Sequence, residues 1–336
     1  MLECDMTNVL LYKPNEAGQH KAGEWRKRHG AGSTIETVSP VFEENVAVVS
    51  EELKPGNRVF SYGGDGMASI AVNSVARCIH DGTRHAADIS VGFLRNGFMN
   101  NADRWANGSA SPDEVITSSR YVKAYPIELR FEPDKPDGVV WRRWALLYAG
   151  RNLTAEIGSI ADAPDIRHQR EQMHPSLKLA HGLGMALRYY GTSLVGGHIM
   201  SGKEHDVYLN GPEITRVQLT DPTITDPGFI WHYDHELGNP LVMARDVIAG
   251  LTTRRLPVKR ISRDSHRIDD QQTLQADGEV VFFNGTPRRL GRRGLSASAT
   301  HLNGRGQLYV GKAPFGVWVV SPAHGETLTF EQRMVA

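Results

Sequence analysis

The segment from Arg58 to Val75, "RVFSYGGDGMASIAVNSV", joins an apolar run to a helix-like run through three glycines and an aspartate. A strand that leads through glycines into a helix presents free backbone N–H groups and the positive end of a helix dipole, both of which favour phosphate. Glycine also adopts the positive φ that such a turn requires. The segment therefore predicts a phosphate-binding turn built from Gly63, Gly64 and Gly66.

Asp65 lies inside this turn, where its carboxylate would repel a phosphate. A bridging Mg²⁺ ion, held through water molecules, would turn that repulsion into attraction. The alternative is an aspartate that only caps the helix. The spacing is not G-x-G-x-x-G, and the chain has no G-x-x-x-x-G-K-[ST] sequence, so neither a dinucleotide fingerprint nor a P-loop is predicted.

Two further loops follow apolar runs. "NVLLY" (Asn8–Tyr12) precedes "KPNEAG", and "ADISVGFL" (Ala87–Leu94) precedes "RNGFMNN". Ligands of open parallel sheets bind beyond the carboxyl ends of the strands. If the three strands are parallel, the three loops lie at the same edge of the sheet.

The elements between these runs are predicted helices, at Gly23–His29, Phe42–Leu53 and Met67–His80. In the last of them, apolar residues recur at the 3.6-residue helical period. Alternation of strands and helices is typical of a doubly wound parallel sheet. We therefore expect residues 1–121 to form a Rossmann-like α/β nucleotide-binding domain.

The pattern changes after residue 121. A helix is predicted at Pro164–Tyr190, but most of the remaining chain consists of short β-like runs broken by Gly, Asn and Pro. Residues 122–336 are therefore expected to form an antiparallel β-sandwich domain. Clear examples of these runs are "DVYLNG", "EVVFFNG", "GQLYVG" and "GVWVVSP".

Composition limits the possible functions. The 336 residues carry 38 basic and 38 acidic side chains, a zero net charge that argues against general nucleic-acid binding. Two cysteines are too few for a disulfide scaffold, and no signal peptide or apolar membrane span is visible, so we expect a cytoplasmic protein. Basic residues nevertheless cluster, either as a solvated face or as a patch for anionic lipid headgroups or phosphates: Arg254, Arg255, Lys259, Arg260, Arg263, Arg288, Arg289, Arg292 and Arg293.

A separate group of polar residues occurs in "HYDHEL", which contains His232, Asp234, His235 and Glu236. Two histidines near carboxylates can bind Zn²⁺, but no further ligand follows at a diagnostic spacing. The pattern favours a solvated loop.

Near the end of the chain, Asp277-Gly278-Glu279 stands between two β-like runs. The glycine would let one carboxylate turn toward a cleft between the domains, where it could accept a proton from an attacking hydroxyl. The alternative is an ordinary Asp-Gly turn.

Taken in order, these motifs resemble those of the diacylglycerol kinase catalytic-domain family, which includes sphingosine kinases and bacterial lipid kinases. The family's N-P-x-A-G loop corresponds to "KPNEAG", and its G-G-D-G loop to Gly63–Met67. Its G-T-x-N-D loop corresponds to "GFMNN", where Gly97 and Asn100 match, and D-G-E is intact at Asp277–Glu279.

The resemblance implies an α/β nucleotide domain followed by a β-sandwich that receives a lipid. It implies a phosphotransferase that uses ATP and Mg²⁺ to phosphorylate a hydroxyl of diacylglycerol or a related lipid at the inner membrane face. Glu279 would be the proton acceptor with Asp277 as support, and Asp65 would act in catalysis and bind the metal. The implied nucleotide contacts are Pro14, Asn15, Thr37, Gly63, Gly64, Asp65, Gly66, Met67, Gly97 and Asn100. Lys13, or an arginine such as Arg95, would neutralise the triphosphate, and we keep both residues as hypotheses.

The chain also departs from the family. Phe98 and Asn101 replace the family's Thr and Asp, and "DPGF" resembles a segment that forms a structural Mg²⁺ site, with Asp226 as ligand and Pro227 inserted. Two alternatives therefore stay open. One is a kinase of a soluble acceptor, like the NAD kinases, although their N-E signature is absent; the other is a degenerate member that binds nucleotide or lipid without turnover.

Overall fold

A computed structural model describes residues 6–96, 100–152, 205–210, 224–235, 258–286 and 299–335, with isolated residues between 155 and 184. Apart from those isolated residues, the predicted helix at 164–190 lies outside the described part of the chain, as does most of the basic cluster. Lys259, Arg260 and Arg263 are described and are exposed. Within the described part of the chain, no helix has the length and apolar character needed to span a membrane.

The strands are, in chain order, β1 (Thr7–Tyr12), β2 (Thr34–Glu36), β3 (Asn57–Gly63), β4 (Ser90–Arg95), β5 (Arg120–Ala124), β6 (Ile127–Pro133), β7 (Trp141–Ala145), β8 (Tyr148–Arg151), β9 (His205–Leu209), β10 (Ile230–His235), β11 (Lys259–Ile261), β12 (Arg263–Ile268), β13 (Gln272–Ala276), β14 (Glu279–Phe283), β15 (Thr300–Leu302), β16 (Gly306–Lys312), β17 (Val317–Val320) and β18 (Glu326–Thr327). The described helices are α1 (Glu16–His29), α2 (Phe42–Glu52), α3 (Asp65–His80), α4 (Asn101–Asn107), α5 (Pro112–Thr117) and α6 (Phe330–Val335).

The first sheet has the strand order β18-β5-β17-β4-β3-β1-β2, and β1, β2, β3 and β4 are mutually parallel where they pair. Alternate residues of β1 enter different cores, because side chains of a strand point to opposite faces. Leu11 packs in the cluster that contains residues of α2 and α3, whereas Leu10 packs in the cluster with Trp25 of α1. Burial on both faces explains the continuous apolar run of β1 and confirms the doubly wound α/β architecture.

The second part of the molecule contains a seven-stranded sheet in the order β11-β10-β9-β8-β13-β14-β15 and a four-stranded sheet in the order β12-β16-β6-β7. All described pairings of these two sheets are antiparallel except that of β14 with β15. One apolar cluster contains buried residues of both sheets, including Phe131 and Leu308 from one and Leu274 and Phe283 from the other. The predicted β-sandwich is therefore present.

The sheets do not follow the predicted boundary after residue 121. Strand β5 spans that boundary and lies in the first sheet, and β17 and β18 return to the same sheet from the end of the chain. Strand β17 pairs parallel with β4 and antiparallel with β5. The first unit is thus built from residues 6–124 together with residues 317–327, because the four buried residues of β17 complete its sheet.

Two local expectations also need correction. Helix α1 begins at Glu16, not Gly23, because the side chain of Asn15 caps it. The interpretation of "HYDHEL" as a solvated loop is wrong for its first part, since Ile230–His235 form β10 and the side chain of His232 is only 13% exposed.

Candidate active site

The first loop of the candidate site connects β1 to α1. The Oδ1 atom of Asn15 accepts a hydrogen bond of 2.8 Å from the N–H of Gly18, which caps the helix. A Cβ atom on Gly18 would lie 2.0 Å from the carbonyl oxygen of Lys13, so the turn requires glycine there. Lys13, Pro14 and Asn15 are all exposed at the carboxyl end of β1.

Thr37 follows β2 and lies beside the end of β1. Its N–H donates to the carbonyl oxygen of Tyr12 at 3.0 Å, and its hydroxyl contacts the same oxygen at 3.4 Å. Only 4% of Thr37 is exposed. Thr37 therefore fixes the end of β2 to the end of β1, close to the first loop.

The second loop carries the glycine-rich turn. Gly64 is the N-cap of α3, with no side chain bonded to the first turn, and Asp65 is the first helical residue. A Cβ atom on Gly63 would meet the side chain of Met67 at 2.4 Å. A Cβ atom on Gly66 would meet Oε1 of Glu279, also at 2.4 Å. Two of the three glycines thus make room for other side chains of the protein, and the expectation that the turn needs positive φ is wrong, because none of the three glycines has it.

Asp65 links the second loop to the third. Its Oδ1 atom accepts a hydrogen bond of 3.1 Å from the N–H of Ala102, at the start of α4. Burial raises the pKa of Asp65 and nearby Asp103 adds to the effect, while the backbone amides of Ala102 and Asn101 oppose it. Asp65 is therefore a half-buried acceptor at the beginning of α4, a helix that the sequence did not predict.

The third loop is held against the second at the strand ends. Gly63 is paired with Arg95, and the N–H of Asn96 donates to the carbonyl oxygen of Gly63 at 3.1 Å. Asn100, buried and with φ of 50°, is the N-cap of α4. Gly97 and Phe98 lie outside the described residues.

Polar side chains of α4 fix the end of β4. Asp103 accepts from Nε of Arg95 at 2.8 Å and, through its other oxygen, from Nδ2 of Asn107 at 2.9 Å. Asn107 also donates to the carbonyl oxygen of Phe93 at 2.7 Å. The guanidinium of Arg95 is about half exposed, so it remains accessible at the edge where the loops meet.

The Asp-Gly-Glu motif forms the turn between β13 and β14. Asp277 and Gly278 have φ of 46° and 88°, and two residues of positive φ are typical of a type I′ hairpin turn. Glu279 is the first residue of β14, and its side chain extends to Gly66 in the first turn of α3. The turn thus carries a carboxylate from the sandwich to the glycine-rich loop.

Asp277 has a different environment from Glu279. It is 3% exposed, and its carboxylate accepts hydrogen bonds from the N–H groups of Leu146, Leu147 and Tyr148, the last two at 2.9 and 3.0 Å. Burial raises the pKa of Asp277 to about 7 and the carboxylate of Asp65 pushes it the same way, while the three amides oppose. Asp277 therefore positions the hairpin and is near enough to Asp65 to influence it.

Helix α3 joins the two units at a second point. Nδ2 of buried Asn73 donates to the carbonyl oxygen of Trp144 at 2.7 Å, and the N–H of Trp144 donates to Oδ1 of Asn73 at 2.8 Å. This pair fixes β7 of the sandwich along the same helix whose N-terminus meets Glu279.

Asp226 belongs to another group of contacts. Its Oδ1 accepts from the N–H of Gly228 at 2.8 Å, and its Oδ2 accepts from Arg260 at 2.9 Å. It also acts electrostatically on Lys312, whose pKa burial lowers to about 7. Lys312 donates to Asn210, which in turn bonds the carbonyl oxygen of Leu146 at 2.9 Å.

Sequence reasoning did not identify Lys312 or Asn210 as parts of this region. Both lie at strand ends, Lys312 in β16 and Asn210 directly after β9, and neither belongs to a recognisable motif. Their contacts reach Leu146, whose own N–H donates to Asp277. The segment from Leu146 to Tyr148 is thus supported on both sides.

Comparisons with known proteins agree with this architecture. No family model and no curated protein matches the sequence. A diacylglycerol kinase from Bacillus anthracis str. Sterne is similar in structure, with a TM-score of 0.56 and 10% identity over 95% of this chain and 97% of that chain. Two further structures from this organism, each provisionally described as a diacylglycerol kinase, have TM-scores of 0.51, identities of 11% and 12%, and cover 95% of this chain and 99% and 98% of their own. The chain therefore has a diacylglycerol kinase-like fold.

Proposed function

We propose that this protein is an ATP- and Mg²⁺-dependent kinase that transfers the γ-phosphoryl group to a hydroxyl of diacylglycerol or a related lipid. One observation carries the proposal: the carboxylate of Glu279, from the sandwich, lies against Gly66 in the first turn of α3. A proton acceptor and a phosphate-binding turn are the two parts that phosphoryl transfer needs side by side.

The nucleotide phosphates would bind at the N-terminus of α3. Gly64 caps this helix without a side chain, so backbone N–H groups of the turn are available to an anion there. Lys13 at the end of β1 and Arg95 at the end of β4 are accessible cations on the same edge of the sheet. Pro14 and Asn15 lie in the first loop, where Asn15 caps α1, and Thr37 holds the end of β2 against the end of β1. We therefore propose that these residues position the first loop for nucleotide binding.

Mg²⁺ fits the acidic side chains of this site. Burial is the main cause of the raised pKa of Asp65 and of Asp277, but the charge of Asp65 also raises the pKa of Asp277, and a divalent cation would offset this repulsion between the two carboxylates. Asp65 is the residue that would hold the ion at this site. When bound, Mg²⁺ supplies neutralisation of the phosphate charge. The resemblance implies that Asp226 binds a structural Mg²⁺ ion. In the structure Arg260 pairs with the carboxylate of Asp226 and supplies the positive charge that the ion would provide.

Glu279 would accept the proton of the attacking hydroxyl. The type I′ turn and the three hydrogen bonds from backbone N–H groups to Asp277 hold the start of β14 in place. Glu279 is therefore already in position before substrate binds. Support for a lipid acceptor comes from the sequence resemblance and from the sandwich that follows the α/β unit.

The test is a phosphorylation assay with γ-labelled ATP and two acceptors, a total lipid extract and NAD. We expect labelled lipid, and we expect Glu279→Gln to lower its rate of formation by about 10²- to 10⁴-fold, the usual contribution of a general base. Glu52→Gln, at an exposed position at the end of α2, is the matched control and should be as active as the wild type.

Each other outcome has a distinct meaning. Labelled NAD without labelled lipid would contradict the lipid acceptor and favour a soluble one. ATP binding without any product would favour a protein that binds but does not turn over. Full activity of Glu279→Gln would refute the assignment of the proton acceptor.

A further inference from the structure

A second group of polar side chains lies in the sandwich, away from the glycine-rich turn. Asp206 and Tyr208 are two residues apart on β9, and Tyr208 is paired with His232 on β10, so all three side chains lie on one face of the larger sandwich sheet. Asp264 and His266 are likewise two residues apart on β12 of the four-stranded sheet. The contacts between these side chains therefore cross from one sheet to the other.

The distances within this group suit a metal ion. Nε2 of His232 lies 3.5 Å from Oδ1 of Asp206 and 4.0 Å from Oδ2 of Asp264. One ligand atom from each of these three residues lies within 4.8 Å of the other two. Ligand atoms at about 2.0 Å from a tetrahedral zinc ion are about 3.3 Å apart, so the two contacts of His232 would have to shorten by less than about 1 Å.

His266 lies beside this group, where its Nε2 atom contacts the hydroxyl of Tyr208. Its Nε2 atom lies 3.1 Å from Oδ2 of Asp206 and 3.4 Å from Oδ2 of Asp264. The group thus offers imidazole nitrogen and carboxylate oxygen together. Mixed nitrogen and oxygen ligands favour Zn²⁺ and related transition metals, whereas Mg²⁺ prefers oxygen ligands and water.

Neighbouring side chains hold the ligand atoms in position. Arg151, 7% exposed, donates to Oδ2 of Asp206 at 2.8 Å, which leaves Oδ1 directed to His232. The hydroxyl of Tyr208 donates to Oδ2 of Asp264 at 3.0 Å, and its ring stacks on that of His232 with centroids 5.0 Å apart. Such outer partners typically fix the orientation of metal ligands.

Burial and charge also suit a cation. The side chain of Asp206 is 2% exposed and that of Asp264 is 30% exposed, so the group is closed on one side and reachable from the other. Among the described residues near this group, the carboxylates of Asp206 and Asp264 face one guanidinium, that of Arg151, so with neutral histidines the group carries one negative charge in excess. A divalent ion would neutralise this charge and link the two sheets.

We infer that Asp206, His232 and Asp264 form a binding site for a divalent transition-metal ion of the Zn²⁺ class, with His266 and Tyr208 as neighbouring side chains that orient the ligands. The site is separate from the proposed Mg²⁺ position at Asp65. It joins β9 and β10 of one sheet to β12 of the other.

The test is titration of the full-length, tag-free protein with Zn²⁺ by calorimetry after treatment with a chelator. We expect one tight equivalent, an increase in melting temperature on adding Zn²⁺, and no displacement by millimolar Mg²⁺. His232→Ala and Asp264→Asn should each weaken the Kd by about 100-fold. His20→Ala removes a histidine whose side chain is 78% exposed, and this control should leave the tight equivalent unchanged.

Asp264→Asn preserves the size of the side chain, so this variant still tests the site if His232→Ala does not fold. Absence of a tight equivalent in the wild type would overturn the inference, as would equal Zn²⁺ affinity of the wild type and both ligand variants. The binding measurement does not require catalysis, so failure of the proposed kinase activity would leave it unaffected.

Discussion

Replacement of Gly66 by alanine tests the link between the glycine-rich turn and Glu279. The added Cβ atom would lie 2.4 Å from Oε1 of Glu279, whereas ordinary contact begins at 3.4 Å. The carboxylate would therefore have to move by about 1 Å. The end of a flexible side chain can do so at little cost, and alanine favours a helix over glycine by about 1 kcal/mol. We expect Gly66→Ala to fold with unchanged or higher stability.

The activity should nevertheless fall. Displacement of a catalytic group by about 1 Å can cost about 100-fold in rate, so we expect a loss of that size in kcat in the phosphorylation assay. Gly23→Ala is the matched control, because Gly23 also lies within a helix and its added Cβ atom would meet nothing within 4 Å. Gly23→Ala should keep full activity.

A double substitution separates this explanation from a direct effect on the nucleotide. If Gly66→Ala acts by moving Glu279, it should cost little further activity in a Glu279→Gln background, because the carboxylate is already lost. If Gly66 instead gives room to phosphate, the two losses should multiply and the KM for ATP should rise. Multiplying losses, or full activity of Gly66→Ala alone, would refute the reasoning.

Three further predictions concern binding, stability and pH. Lys13→Ala should raise the KM for ATP with little change in stability, since Lys13 is exposed at the end of β1; an unchanged KM rules this lysine out. Asn73→Ala should lower the free energy of unfolding by about 2–4 kcal/mol in urea titrations, because the polar backbone groups of buried Trp144 lose their partners, whereas exposed Asn303→Ala should change it little. Burial lowers the pKa of Lys312 to about 7, so the folded state binds fewer protons than the unfolded state between pH 7 and about 10, and wild-type stability should rise with pH across that window. Lys312→Met should lose this rise, and parallel pH profiles of the two proteins would contradict the role of Lys312.

The sequence predicted the parallel half of the fold because its strands are buried on both faces. Such strands appear as continuous apolar runs, which is why β1, β3 and β4 were found within a few residues of their observed bounds. The same reasoning correctly brought three strand-end loops to one edge. Helix α4 was missed because "NADRWAN" is short and polar, and its N-terminus depends on Asp65, from another loop.

The candidate site was predicted only in part, for a related reason. The order of motifs indicated Glu279 and Asp65, but no local pattern shows that Gly66 must be small to admit Glu279, which is more than two hundred positions further along the chain. The role of Asp277 as acceptor for three amides depends on a segment near residue 147. The proximity of His232 to Asp206 and Asp264 was not predicted, because the two aspartates come from other strands and show no diagnostic spacing.

The position of β17 has a consequence for biosynthesis. Residues 317–320 lie between β4 and β5, although both of those strands leave the ribosome about two hundred residues earlier. Until residues 317–327 emerge, the nascent Rossmann-like unit has two strands with unpaired edges, exposing backbone groups that can associate with other chains. A truncated product ending before residue 317 should therefore aggregate instead of forming a smaller independent unit.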